Sequence, residues 1–276
     1  SATLRENVVS LARNIGYVPR SKSSAKATVS FSIGTSAAEG QLILKAGLVC
    51  VGGVDNTTYT YSVPEDITTN IVSNVASFEN VDVFQGIYLT KQFTIDTSTN
   101  QRFILNNADI DTSTIVVKVG TREYKQISNI VKVDGASEIY LLQEIADERY
   151  ELLFGDGIIG KKLENGDVIQ VSYITTQGSA GNGPSVFSYS GTTTDSTDSI
   201  VNSTSTVNVT TVSKASGGGD IESIESVKYF APRTYAAQNR AVTARDYEAI
   251  VQTVYPETES VTVIGGEELD PPQFGR

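Results

Sequence analysis

Four glycines and three carboxylates crowd one short stretch of this chain, Gly155-Asp156-Gly157-Ile158-Ile159-Gly160 followed by Glu164-Asn165-Gly166-Asp167. Three chemistries could use them. Glycines at 155, 157 and 160 have the look of a loop that cradles a phosphate. A dinucleotide loop needs a helix after its glycines, and a nucleotide-triphosphate loop needs Gly-Lys-Ser/Thr. Here Lys161-Lys162-Leu163 and an Asn165-Gly166 turn follow instead. Asp156, Glu164 and Asp167 could gather round a hard cation, with Asp147, Glu148 and Glu151 on the same acidic face, but no EF-hand spacing is present. Asp156 and Glu164 could also work as a hydrolytic acid pair, yet they fall in a turn region with no sign of a cleft. The favoured reading is structural: Gly155, Gly157, Gly160 and Gly166 make tight turns with positive φ between two paired strands.

Two further groups invite a role. Gly217-Gly218-Gly219 precedes a helix with Asp220 at its expected N-cap and Glu222 and Glu225 in the first turn. An anion could bind such a helix end, but Asp220 already supplies negative charge there. The run is expected to be a flexible joint. Arg233, Arg240 and Arg245, with Asp246 and Tyr247, flank the last helices. Arginine forks bind carboxylates bidentately, so these five residues are expected at an interface or an intradomain clamp.

The composition points from catalysis toward assembly. The 276 residues include no His and one Cys, and most acid–base chemistry near neutral pH and most soft-metal sites use one of those two. Catalytic residues, cofactors and metals are expected to be none. Cys50 stands in an apolar run, as a buried small hydrophobe would. Acidic residues outnumber basic ones 32 to 21, a net charge of -11, which repels phosphate backbones and argues against nucleic acid. No apolar stretch is long enough for a membrane helix, so no membrane role is expected. Thr, Ser and Val are abundant, as in β structure. The chain is expected to be a fragment of a longer protein.

The elements that hold these residues are mostly strands. Leu4, Val8, Leu11 and Ile15 predict one helix stripe, with Thr3 and Glu6 as a capping box and Gly16 as its end. Ala27, Val29, Phe31 and Ile33 alternate with polar residues, predicting a half-buried strand. Further strands are expected at Leu42–Val51 (broken at Lys45–Gly47), Tyr59–Val63, Ile67–Val75, Val81–Phe84, Ile87–Leu89, Gln92–Ile95, Arg102–Leu105, Ile115–Val119, Ile139–Leu142, Tyr150–Phe154 and Val168–Tyr173, with a turn at Asp134-Gly135. The Ser/Thr-rich stretch from Ser188 to Ser205 reads as an ordered arm or a β excursion. Ile221, Ile224 and Val227 begin a helix bounded by Pro232. A second helix carries Tyr247, Ile250, Val251 and Val254, and Ser260–Ile264 reads as a strand. The fold class is α+β, predominantly β and multidomain, with a β-rich middle inserted between a short N-terminal helix and a helix-helix-strand C-terminal part. The expected divisions are 1–34, 35–149, 150–216 and 217–276.

Three segments carry a resemblance. They are Leu4 to Ala25, with its Gly16-Tyr17-Val18-Pro19; Tyr150 to Gly160, continued by Leu163–Asp167 and Gly178–Gly183; and Ser216 to Glu225, running through Ala231-Pro232-Arg233 to Asn239–Tyr247. In this order and spacing the chain resembles the baseplate J-like proteins of contractile-tailed phages, above all the inner-ring wedge subunits of the T4-like group. The resemblance implies a non-enzymatic structural component of the virion tail baseplate, assembled in the host cytoplasm. Implied partners are other baseplate wedge subunits and, in the full-length protein, a second copy as a homodimer. The alternative weighed against it is a β-rich carbohydrate-binding or receptor-contacting virion module.

Overall fold

The computed structural model describes residues 4–127, 133–237, 244, 247, 248, 250, 251 and 261–264. In chain order, helix α1 (Arg5–Asn14) is followed by β1 (Lys26–Gly34), β2 (Glu39–Leu44), β3 (Gly47–Val54), β4 (Thr57–Val63), β5 (Ile67–Val72), β6 (Val75–Gln85) and β7 (Ile87–Thr94). Then come β8 (Phe103–Leu105), β9 (Ile110–Val119), β10 (Arg122–Gln126), β11 (Ile139–Glu144), β12 (Tyr150–Phe154) and β13 (Val168–Thr175). The last elements are β14 (Phe187–Tyr189), β15 (Thr193–Thr194), β16 (Thr210–Ser216) and α2 (Ile224–Ala237). The mixed, strand-dominated class expected from the residue pattern is what the structure shows.

Two compact units form: residues 1–20, 144–147 and 222–276 make the smaller, and residues 21–143 and 148–221 the larger. The larger unit contains two sheets. In the first, β6 is the spine. β1 pairs along one side of it, while β5 and β4 pair with opposite ends of its other side. β3 and β14 extend from β4, β2 and β15 extend from β5, and β16 lies outside β1. Two-residue turns at Asp55-Asn56 and Ser73-Asn74, all with positive φ, match the twist of their hairpins. The alternation of β1 is as read: Ala27, Val29, Phe31 and Ile33 are buried, and Phe31 stacks on Phe78 with ring centroids 5.2 Å apart. Burying Val29, Phe31 or Ile33 contributes roughly 2 kcal/mol each relative to leaving it in water. The Ser/Thr-rich stretch supplies β14 and β15 to the two ends of this sheet. Its hydroxyl and branched side chains suit those positions.

The second sheet runs β7-β13-β9-β10-β11-β12-β8. The two expected strands at Ile87–Leu89 and Gln92–Ile95 are one strand, β7, paired without interruption to β13. The core here is Leu105, Ile110, Val117, Leu152, Ile169 and Val171, with buried Tyr124, Tyr140, Tyr150 and Tyr173. One expectation fails in this sheet. β12 and β13 do not pair, because β9, β10 and β11 stand between them. The glycine segment between them is therefore a connection across the sheet and not a hairpin turn. Neighbours in sequence are the default pairing, but here β12 is bound to β8 instead. The Asp134-Gly135 turn is present but leads into β11, which lies parallel to β10.

The smaller unit packs α1 on α2 through Val8, Ala12, Val227 and Ala231. The buried face of α1 is Val8, Val9 and Ala12, whereas Leu4 and Leu11 are 59% and 60% exposed. The buried stripe is thus rotated by part of a turn from the predicted one, since a 3.6-residue period lets either flank of Val8 join it. The N-cap is Leu4, without a side-chain bond, and Thr3 lies outside the described residues. Gly16 does end the helix: its N–H donates to the Arg13 carbonyl and that of Tyr17 to Ala12, with Gly16 at φ 81°, a full Schellman motif. α2 is capped by Ser223, whose Oγ accepts from the Ser226 amide at 3.1 Å. Asp220 lies too far upstream to cap it. Pro232 sits inside α2 on its exposed side. The missing proline N–H costs one helix bond there, and the α1 contact through Val227 and Ala231 holds the helix across it. Residues 244, 247, 248, 250 and 251 are helical, while residues 261–264 have no strand pairing among the described residues.

Candidate functional site

The segment from Gly155 to Gly160 closes on itself. The Asp156 carboxylate accepts from the amides of Ile158 and Ile159 at 2.8 and 2.9 Å. Those two bonds hold its pKa below the usual carboxylate value. The Gly157 amide donates to the Gly160 carbonyl, the Gly160 amide to Asp134, and the Lys161 amide to Ser137. A phosphate cradle needs free N–H groups turned outward. These N–H groups point into the loop and its neighbouring turn, so no cradle forms. Gly157 and Gly160 have φ of 95° and 80°, while a Cβ on Gly155 would strike the Gly160 backbone.

The acidic residues do not converge either. Asp167 accepts from the Glu164 amide at 2.9 Å, and the Gly166 amide (φ 87°) binds the Ile95 carbonyl. Glu151, expected on an acidic face, is buried beneath Arg102 in a two-point pair of 2.6 and 2.8 Å. Among the described residues no group of three or more His, Cys, Asp or Glu side chains is placed to hold a metal ion. Cys50 is buried and its thiol pushed up to about 12 by desolvation, which removes the thiolate a nucleophile needs.

Gly217-Gly218-Gly219 is tied on both sides. Gly219 and Ser23 exchange two backbone bonds of 3.0 Å. The Gly218 amide and carbonyl are both held by the Asn182 side chain, at 2.8 and 2.9 Å. A Cβ at Gly218 would lie 2.9 Å from the Ala25 nitrogen. Gly217 has φ of 78°. Close backbone approach is what this run supplies.

Of the expected interface residues, Arg233 and Tyr247 are described, and Arg240, Arg245 and Asp246 lie outside the described residues. The Arg233 guanidinium sits over the Tyr229 ring, 3.4 Å from its centroid, and Tyr229 and Tyr247 are 48% and 47% exposed.

Several polar locks are not visible in the residue pattern. In the smaller unit the buried Glu222 accepts from Tyr17 Oη at 2.7 Å, the Arg20 amide at 3.0 Å and Ser226 Oγ at 2.6 Å. Arg5 grips Glu144 at 2.7 and 3.0 Å. Burial and the Glu222 carboxylate raise the pKa of Tyr17. The Gly-Tyr-x-Pro motif holds the only local hint, since a tyrosine hydroxyl near a helix end needs a partner that the motif does not name. In the larger unit, buried Asp111 accepts from the Ser24 amide at 2.7 Å, and the Gln85 carboxamide accepts from Thr176 Oγ1 and the Gln177 amide. Both locks join the two sheets where Gly86 alone links β6 to β7. A Cβ on Gly86 would collide with the Thr175 carbonyl.

Two family models match parts of the chain. Residues 88–182 match the third domain of bacteriophage baseplate wedge protein gp6, and residues 243–276 match C-terminal domain I of baseplate structural protein gp6. The first match coincides with the second sheet from β7 to β13. The chain is similar to baseplate wedge protein gp6 of Enterobacteria phage T4, at 27% identity over 271 residues that cover 91% of this chain. The chain spans 41% of that relative's length.

Proposed function

We propose that this chain is a structural wedge component of a contractile phage-tail baseplate that works by protein–protein contact and carries out no reaction. The observation that carries the reading is the match of a gp6 wedge domain to residues 88–182, the span of the second sheet. The geometry suits a load-bearing part, because Asp111, Gln85 and Gly86 tie the two sheets of the larger unit together. The partners are other wedge subunits, and the full-length protein forms a homodimer. Assembly takes place in the host cytoplasm before the particle joins the virion tail. The segment of the sequence carrying Arg233, Arg240, Arg245, Asp246 and Tyr247 meets a neighbour. The exposed Arg233–Tyr229 stack supports this, because arginine and tyrosine are enriched at such contacts. The acidic balance of the chain is consistent with a role that involves no nucleic acid.

The test is co-expression of the full-length protein with the other wedge subunits of its phage, read by native mass spectrometry. A particle of defined stoichiometry is expected. A chain that stays apart from every wedge subunit would overturn the reading.

A further inference from the structure

We infer that the open edge of β7 and the polar cavity at its first residue form one binding site for an uncharged, extended peptide segment supplied by a different protein subunit. β7 and β8 are the outer strands of the second sheet. Their Phe93 and Phe103 rings nevertheless meet edge to face at 5.5 Å, so the sheet curls until its two edges meet at one end. Where β7 begins at Ile87, and where the chain leaves β8 through Asn106–Asp109, a cavity of about 490 Å³ opens. The β7 edge itself is unpaired. The Val168 carbonyl of β13 accepts from Gly120 on the β9 side, so by the two-residue period Ile169, Val171 and Tyr173 face β7. Their partners are Phe93, Lys91 and Leu89, which turns the N–H and C=O groups of Tyr88, Thr90 and Gln92 away from the sheet. None of those groups has a hydrogen-bond partner among the described residues. At eight residues β7 is the longest of the outer strands. It has no proline and no bulge, and its one charge, Lys91, lies over the Phe93 ring. Proteins blunt or cover such an edge, and this one is not blunted.

The cavity says what the segment must carry. Gln85 and Thr176 line it and are 3% and 4% exposed. Gln85 Oε1 accepts from Thr176 Oγ1 and from the Gln177 amide. A backbone N–H can only donate, so the carboxamide orientation is fixed, and Nε2 is left as a donor without a partner among the described residues. A buried donor in that state is costly until an acceptor arrives. Asn107 repeats the arrangement at the rim: its Oδ1 takes the Tyr173 hydroxyl at 2.6 Å, and its Nδ2 is unbonded among the described residues. Asp109, the one charged residue of the lining, is neutralised by Lys22 at 2.6 Å. The site is therefore uncharged and presents N–H donors, which suits peptide carbonyls. A saccharide can use the two amides, but it has no counterpart to the alternating N–H and C=O groups of a strand edge, and an added strand does. This chain's own candidates for that strand are already in place. Its two longest uncharged stretches, 168–194 and 199–213, supply β13, β14, β15 and the start of β16, and pack Val201, Val207 and Val209 on the first core. A second copy could lend either stretch only by dismantling its sheets, so the segment belongs to another subunit.

This inference rests on the wedge reading, and the experiment separates the two. Full-length protein, alone and co-expressed with the wedge subunits of its phage, is followed by hydrogen exchange at the Thr90 and Gln92 amides. Both should exchange fast in the free protein and at least about tenfold more slowly in the assembly. A photo-crosslinking residue at position 90 should reach a different subunit. Thr90→Pro removes one outward N–H and leaves the bonds to β13 intact, and Asn106→Trp fills the cavity from its exposed rim. Each should weaken partner binding at least about tenfold, read by native mass spectrometry. If Thr90→Pro melts early, Asn106→Trp and the exchange rates decide. Fast exchange within a normal assembly, slow exchange already in the free protein, crosslinks only to a second copy, or full binding by Asn106→Trp would each overturn the site while leaving the wedge reading intact. So would binding of a neutral glycan by the wild type that Asn106→Trp abolishes. Failure of the wild type to assemble would remove both.

Discussion

The two glycine-rich segments of this chain look alike in sequence and do opposite things in space. Gly155–Gly160 closes on itself and ends in exposed side chains, with its glycines shaping a tip. Gly217–Gly219 is threaded between Ser23, Ala25, Asn182 and Gly178, with its glycines letting backbones touch. In the first segment the hydrogen bonds are mostly internal to the loop and one neighbouring turn. In the second they reach to residues far away in the chain, Ser23 and Asn182. Glycine content therefore does not by itself mark a hinge. What matters is whether the space beside the missing Cβ is filled.

That difference can be tested from its strongest consequence downward. Gly218→Ala places a methyl against the Gly178 carbonyl and the Ala25 backbone, which cannot move aside as a flexible side chain could. Overpacking of this kind should cost about 3 kcal/mol, measured by denaturant unfolding. An unchanged midpoint would mean the run is looser than its hydrogen bonds show. Glu222→Ala strips the acceptor from the Tyr17 hydroxyl, the Arg20 amide and Ser226. Leaving buried donors unpaired should cost about 2 kcal/mol, visible as earlier unfolding of the smaller unit.

Asp156→Ala should leave the melting temperature nearly unchanged and speed hydrogen exchange of the Ile158 and Ile159 amides. The same tip should respond to pH. The Asp156 carboxyl is depressed in the fold, so its contribution is fully present above the ordinary carboxylate pKa of roughly 4. It is lost as pH falls through the lower folded value, and amide protection at Ile158 should decline in that acid window. Protection that persists after Asp156 is protonated would assign the loop's order to its glycines alone. The smallest effect is expected for Ile158→Ser alone, with no change in unfolding midpoint because the side chain already meets water.

Much of the fold is legible in local pattern. The alternation from Ala27 to Ile33 marks β1 because side chains on a strand repeat every two residues. Gly16 marks the end of α1 because only a residue at ease with positive φ closes the Schellman turn. Ser223 does not stand out as a cap, because Asp220 also suits that role and the true start of α2 depends on its packing against α1. The link at Gly86 reads locally as a gap between two strands, since nothing nearby says that the strands belong to different sheets. For the site, the position of the glycine loop is plain in the residue order, but its place in space is not: the pattern suits a hairpin turn, and the strands on either side pair elsewhere.

The residue order alone determined where most of the strands and both ends' helices lie, where the chain can turn, and that His- or Cys-based chemistry has almost no residues to work with. These are properties of periods, φ preferences and side-chain inventory, all local. Tertiary structure alone decided that β12 pairs with β8 and not β13, that Glu151 and Glu222 are buried against Arg102 and Tyr17, and that Ile158 and Ile159 face solvent. Strand partners and burial depend on which distant surfaces meet, and a strand's own pattern names the face it hides without naming what covers it.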